Sequence, residues 1–290
     1  MKNRPIDFPI VDAHIHLWDI NKFSYPWLAD VPIINHTFGL PDYNKAMGAQ
    51  QVQAMVYVQC ECRRDQSLDE LKWIDSLADQ DPRLQAIVPW APLEYGALAE
   101  PILREMAKNP RVKGIRRIIE FEDDPNFCIQ PGFVKGVQLL GALGLHCELT
   151  ISPEHFPNVL KLMKLCTQTR FILDHCGSPN IDKGEFKHWE EHITAFSEAG
   201  PHYCKFSNLI CNANLQNWSP DDLQPYAETV LNCFSPDRLI WGSDWPHLLR
   251  GATIEKWLEI ARVFTENLSI EDLQKVYRNN AIDFYGLTTH

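Results

Sequence analysis

The sequence predicts a single (β/α)8 TIM barrel, an α/β domain spanning residues 1–290. Three observations carry this. Short, branched, apolar segments alternate with amphipathic helical ones along the whole chain, the pattern of a parallel sheet buried on both faces. Eight such pairs fit the length of one barrel. Polar residues gather at the C-terminal ends of the apolar segments, where such barrels carry their active sites. An open doubly wound sheet would place a glycine-rich phosphate loop after the first strand. Here that place holds Val11-Asp12-Ala13-His14-Ile15-His16.

In order, the first strand runs through Ile10–Leu17, behind Pro9. Residues 19–41, rich in proline and aromatics, read either as a lid over the barrel mouth or as an ordered flap that touches no ligand. A short helix follows over 42–48. Strands are then expected at 52–59, 84–90, 112–118, 145–151, 171–174, 203–208 and 239–241. Helices are expected between and after them at 67–78, 95–108, 133–143, 154–166, 186–199, 223–234, 254–265 and 271–277. In the first of these, Leu68, Leu71, Ile74 and Leu77 form one apolar stripe.

Composition narrows the function. A hydrophobic fraction of 45% supports a large core, and a net charge of -11 opposes a nucleic-acid partner. There is no apolar run long enough for a membrane span, and Met1-Lys2-Asn3-Arg4-Pro5 opens no signal peptide, so the expected place is the cytoplasm. Nine cysteines without paired spacing read as free buried thiols of a reducing compartment. Composition leaves open whether the chain forms a homo-oligomer.

The strand ends supply the chemistry. His14 and His16, at i and i+2, share one face of a strand and can hold one metal ion or one polar ligand atom. Gln59 and Glu61, Trp90, Arg116, Glu148 or Thr150, His175, Ser207, Asn208 and Asp244 follow at later strand ends. Each has a plainer reading: Asp174-His175 as a turn with a helix cap, Arg116 and Arg117 as surface ion-pair members, Glu61 as a solvated side chain.

Taken together, these pieces resemble the amidohydrolase superfamily. The likeness is to the branch of sugar-acid lactonases (L-fuconolactonase, L-rhamnonolactonase) and 2-pyrone-4,6-dicarboxylate lactonase. It rests on Val11-Asp12-Ala13-His14-Ile15-His16, Tyr25-Pro26-Trp27-Leu28, Val58-Gln59, Gly114-Ile115-Arg116, Leu173-Asp174-His175-Cys176-Gly177, Lys205-Phe206-Ser207 and Trp241-Gly242-Ser243-Asp244-Trp245-Pro246, in the family's order. The resemblance implies a hydrolase that opens a sugar-acid or carboxylated lactone. Asp244 would be the general base, with His14, His16 and His175 polarising the carbonyl directly or through a metal. Arg116 would grip the substrate, with Gln59, Glu61 and Asn208 beside it and Trp27, Trp90 and Trp245 as apolar walls. Two departures matter. His146 stands at the start of its strand rather than its end, and Lys113 adjoins Gly114, so at most one divalent metal is expected, zinc first, on His14, His16, His175 and Asp244, or none at all. Asn208 stands where the sugar-lactone side has glycine. A barrel decarboxylase of the same superfamily and a non-catalytic small-molecule-binding barrel are the alternatives.

Overall fold

Residues 6–288 are described by a computed structural model. Its eight strands are β1 (Ile10–Ile15), β2 (Val52–Val58), β3 (Leu84–Val88), β4 (Gly114–Ile118), β5 (His146–Thr150), β6 (Phe171–Leu173), β7 (Tyr203–Phe206) and β8 (Leu239–Trp241). They pair in parallel, β1 to β3 in one run and β4 to β8 in another. Two narrow seams close the ring. At one, the Ile87 amide donates to the Arg111 carbonyl at 2.7 Å and the Lys113 amide to Ile87 at 3.1 Å. At the other, the His16 amide donates to Trp245 at 2.7 Å and the Asp244 amide to His14 at 2.8 Å. The second seam ties the two histidines of the first strand directly to the aspartate after the last one. Gly242 makes this approach possible, because a Cβ there would lie 2.8 Å from His14 Cβ.

Around the ring run α1 (Leu40–Met47), α2 (Ser67–Ala78), α3 (Glu100–Met106), α4 (Pro131–Ala142), α5 (Phe156–Leu165), α6 (Phe186–Glu198), α7 (Pro220–Phe234) and α8 (Ile254–Phe264), then α9 (Ile270–Gln274) and α10 (Asn280–Tyr285). The helix expected over 95–108 begins as a 3-10 segment, Leu93–Ala99, broken at Gly96, and becomes α-helical only at Glu100. On α2, Leu71 and Ile74 are buried as expected, whereas Leu68 is exposed. The last helix, α10, was not expected.

Apolar residues form two bodies. The larger fills the space between strands and helices. The smaller fills the lumen: Val11, Ala13, Val56, Val58, Ala86, Val88, Ile172 and Ile240 meet Phe284 and Tyr285 of α10, which plugs the floor of the barrel. In β1 the pairing with β2 shifts register between Asp12 and Ile15. That shift lets Ala13 belong to the luminal body while His14, one residue on, also faces inward at the upper edge of it. The segment over 19–41 is ordered and holds two 3-10 turns, Pro26–Asp30 and Pro32–Ile34. Trp18 packs within 5.5 Å of both Trp27 and Phe38 and pins it. All nine cysteines are free.

Candidate active site

A cavity of about 610 Å3 opens at the C-terminal end of the strands. Of the residues singled out in the sequence, His16, Trp27, Glu61, Arg116, Thr150, His175, Asn208 and Asp244 line it. His14 lies directly beneath, fully buried. Ser207 sits beside His175, its hydroxyl 2.9 Å from Nδ1, and Glu148 lies deeper against His146; Trp90, Trp245 and Gln59 are turned elsewhere. Trp90 lies against the guanidinium groups of Arg64 and Arg117, 5.7 and 5.4 Å from its ring. Trp245 is 1% exposed and packs edge-on against Phe38 and Tyr43. Gln59 donates to the Glu61 carboxylate at 2.7 Å and accepts from the Glu61 amide at 2.6 Å, so it braces Glu61 rather than facing the cavity. Arg117 is an ion-pair member as expected, but a buried one, between Glu94 and Glu122.

The mouth concentrates backbone strain. Glu61, His175, Cys176, Ser178, Asn208 and Asp244 all adopt φ between 44° and 61°, the left-handed region. Non-glycine residues seldom hold it, and such positions gather at functional sites. Here they turn the chain sharply after β2, β6, β7 and β8 and bring Glu61, His175, Ser178, Asn208 and Asp244 to the cavity wall.

Asp244 Oδ1 is the point of convergence. His16 Nε2 lies 3.1 Å from it, His14 Nε2 3.6 Å and His175 Nε2 3.8 Å. Its other oxygen accepts from His247 Nδ1 at 2.9 Å. Arg250 donates to His247 Nε2 at 2.7 Å, and a guanidinium can only donate, so the Nδ1 hydrogen of His247 is committed to Asp244. Burial alone would raise the Asp244 carboxyl. The imidazoles of His175 and His247, with the contacts to His16 and His247, outweigh burial and hold it well below the usual carboxylate range. Burial pushes the histidines the other way: His175 falls to about 4, His16 falls despite Asp244, and His14 falls further because Lys205 adds its charge.

Hydrogen-bond roles test whether a metal fits. His16 Nδ1 faces the Val58 carbonyl at 2.7 Å, which can only accept, so the neutral ring turns the lone pair of Nε2 toward Asp244 Oδ1. Two acceptors 3.1 Å apart call for a cation between them. The three nitrogen–oxygen separations bracket the roughly 3.4 Å ligand-to-ligand distance implied by a tetrahedral zinc site with bonds near 2.1 Å. Two groups have ligand atoms within 4.8 Å of one another: His14, His16 and Asp244, and His14, Asp174 and His175. The residues fit one divalent ion. His146 is not among them; it bonds Glu148 at 2.9 Å near the floor.

Several residues at or under the site escaped the list of candidates drawn from sequence, four of them charged or titratable groups close to Asp244 or His14. His247 and Arg250 line the cavity. Asp174 and Lys205 lie fully buried below it, with Lys205 Nζ 3.0 Å from His14 Nδ1 and 3.3 Å from Asp174 Oδ1. Lys205 carried a signal: it is the one charged residue in an apolar strand and shares the parity of Ser207.

A parallel barrel with two β1 histidines, a β6 histidine and a β8 aspartate meeting at one mouth is a metal-capable barrel of the enzyme type. The chain belongs to the amidohydrolase family, whose profile matches residues 11–287. Among characterised relatives, the L-fucono-1,5-lactonase of Burkholderia ambifaria is 28% identical over 81% of this chain and 80% of its own. The L-rhamnono-gamma-lactonase of Scheffersomyces stipitis is 22% identical over 97% of this chain and 99% of its own. An amidohydrolase of Burkholderia multivorans, crystallised with bound zinc, superposes with a TM-score of 0.86 at 25% identity, covering 97% of this chain and all of that one. No helix among the described residues is long and apolar enough to cross a membrane.

Proposed function

We propose that this protein opens the lactone ring of a sugar-acid or carboxylated lactone by attack of water on the carbonyl carbon. The observation that carries the reading is Asp244: a buried carboxylate kept ionised, at the bottom of a cavity, with three imidazoles aimed at one of its oxygens. The lactonase names of the relatives supply the substrate class.

Asp244 takes a proton from water as the water oxygen bonds to the carbonyl carbon. The ring carbon–oxygen bond then breaks, and the leaving alkoxide takes up the proton that Asp244 holds. The Nδ1 hydrogen of His247 fixes one Asp244 oxygen and leaves the other facing the imidazoles. Arg116 donates to the Gln59 carbonyl and, at 3.4 Å, to Thr150. Its Nε has no partner among the described residues. That fixed guanidinium is the donor for the substrate carbonyl or carboxylate. Trp27, held by its bond to the Cys60 carbonyl at 2.8 Å, forms an apolar wall. A divalent ion held by His16, His175 and Asp244, joined by His14 only where its Nε2 hydrogen has moved to Nδ1, would supply a Lewis acid to the carbonyl oxygen.

The test is a proton-release assay on aldono-1,5-lactones, aldono-1,4-lactones and pyrone dicarboxylates. One class should turn over with kcat/KM on the order of 10^4 per molar per second or better. Silence on all of them, with carbon dioxide released from hydroxybenzoates, would replace this reading with a decarboxylase.

A further inference from the structure

The mechanism makes no use of a fully buried cation beneath the site. Lys205 projects from β7 into the lumen with no exposure. Its ammonium touches Glu148 Oε2 at 2.6 Å, Asp174 Oδ1 at 3.3 Å and His14 Nδ1 at 3.0 Å. These are the contacts of a cation with two carboxylates and one imidazole. Asp174 and His14 also belong to one of the two groups able to hold a metal, and His14 belongs to both.

An ammonium only donates, so His14 Nδ1 is an acceptor and its remaining hydrogen sits on Nε2. That nitrogen is the one directed at Asp244, and it has no hydrogen-bond partner among the described residues. A protonated nitrogen has no lone pair for a metal. To become a ligand through Nε2, His14 must move its hydrogen to Nδ1, against the ammonium.

We propose that Lys205 is the resident cation of the inner half of this site: it stands where an inner metal would be balanced and holds His14 in the Nε2–H form. His14 is then a hydrogen-bond donor at the cavity floor, and exchangeable metal is confined to the outer group around His16 and Asp244, where it is weakly held. Lys205 acts through His14 and is a positioning residue. The inference concerns cation occupancy and stands whether or not the substrate is a lactone.

Lys205→Met removes the ammonium and frees His14 to donate through Nδ1 to Asp174, 3.5 Å away. Zinc titration by calorimetry, with a competing chelator and with circular dichroism to check the fold, should show affinity rising at least about tenfold, or a second equivalent bound. A merely structural role would lower affinity or leave it unchanged, and either result in folded protein overturns the proposal. Nitrogen-detected histidine NMR on the unaltered, metal-free protein decides independently of the variant. His14 should carry its hydrogen on Nε2 and His16 on Nδ1; a hydrogen on Nδ1 of His14 would overturn it.

Discussion

Both ends of this barrel bury a histidine against a carboxylate, yet only one end is built for chemistry. At the floor, Glu148 receives His146 at 2.9 Å, Tyr285 at 2.7 Å and Lys205 at 2.6 Å. Phe284 and Tyr285 of α10 seal it from below. Burial raises the Glu148 carboxyl, but Lys205 and His146 outweigh that, so the charge is neutralised inside the protein. At the mouth, Asp244 is held ionised just as firmly. There, however, the chain turns through strained left-handed residues and a cavity stands open. A buried histidine–carboxylate pair therefore does not mark a site by itself. Access and strained backbone make the difference.

The contrast predicts that equivalent charge removals fail differently. Asp244→Asn should lower kcat by roughly 100-fold or more, the usual worth of a general base, with KM little changed. Asparagine tolerates the left-handed backbone that Asp244 adopts, at φ 57°, so the melting temperature should stay near that of the parent. A normally active Asp244→Asn protein would remove the mechanism. At the floor, Glu148→Gln leaves the Lys205 ammonium with Asp174 as its only carboxylate. It should cost about 3 kcal/mol of stability by urea denaturation, as breaking a buried pair does. If that variant were as stable as the parent, the floor would not be the structural half of the comparison.

The barrel was legible because short continuous apolar runs and amphipathic stretches of 3.6-residue period alternate without interruption, and because β-strand ends carry polar residues. His16, His175 and Asp244 were legible for the same reason. Side-chain direction was not. Trp90 ends a strand but turns to Arg64 and Arg117, and Trp245 turns back into Phe38 and Tyr43. Nor could strand ends reveal what lies beneath them. Lys205 and Asp174 matter through contacts across the lumen, between residues far apart in sequence. The α10 helix lies beyond the last helix expected from sequence, 271–277; what fixes it is a long-range contact, Asn280 donating to the carbonyls of Pro236 and Leu239, each at 2.7 Å.

A smaller effect tests the wall of the cavity. Arg116→Lys keeps a charge but cannot reach the Gln59 carbonyl and Thr150 together, as the guanidinium fork does. KM should rise about tenfold while kcat falls less, the loss of roughly one fixed hydrogen bond to the ligand. Unchanged substrate binding in the lysine variant would make Arg116 a strut for the β2–β4 strand ends.

The smallest effect sharpens the comparison most, because it concerns a carboxyl just behind the cavity wall with the opposite solution to burial. Glu70 of α2 is 2% exposed and faces no cation. Its partners are neutral donors: the Tyr25 hydroxyl at 2.9 Å, the Cys60 thiol at 3.7 Å, and the side chains of Tyr57 and Cys62. Burial wins over these hydrogen bonds and lifts the carboxyl from the ordinary 4.5 to about 7. Asp244, with imidazoles instead of hydroxyls and thiols, goes down. The sign of the linkage follows. Between pH 4.5 and 7 the folded protein holds a proton on Glu70 that the unfolded chain has lost. The stability this contributes is complete below pH 4.5 and is lost as pH rises through 7. Other carboxylates add their own slopes in this window, so the measurement is a difference. Unfolding free energy is followed against pH for the parent and for Glu70→Gln, which mimics the protonated form. The difference should grow in favour of the variant as pH rises across the window and level off above it. A constant difference from pH 4 to 8 would mean that Glu70 is ionised in the fold, and that neutral donors suffice to hold a buried charge beside this cavity.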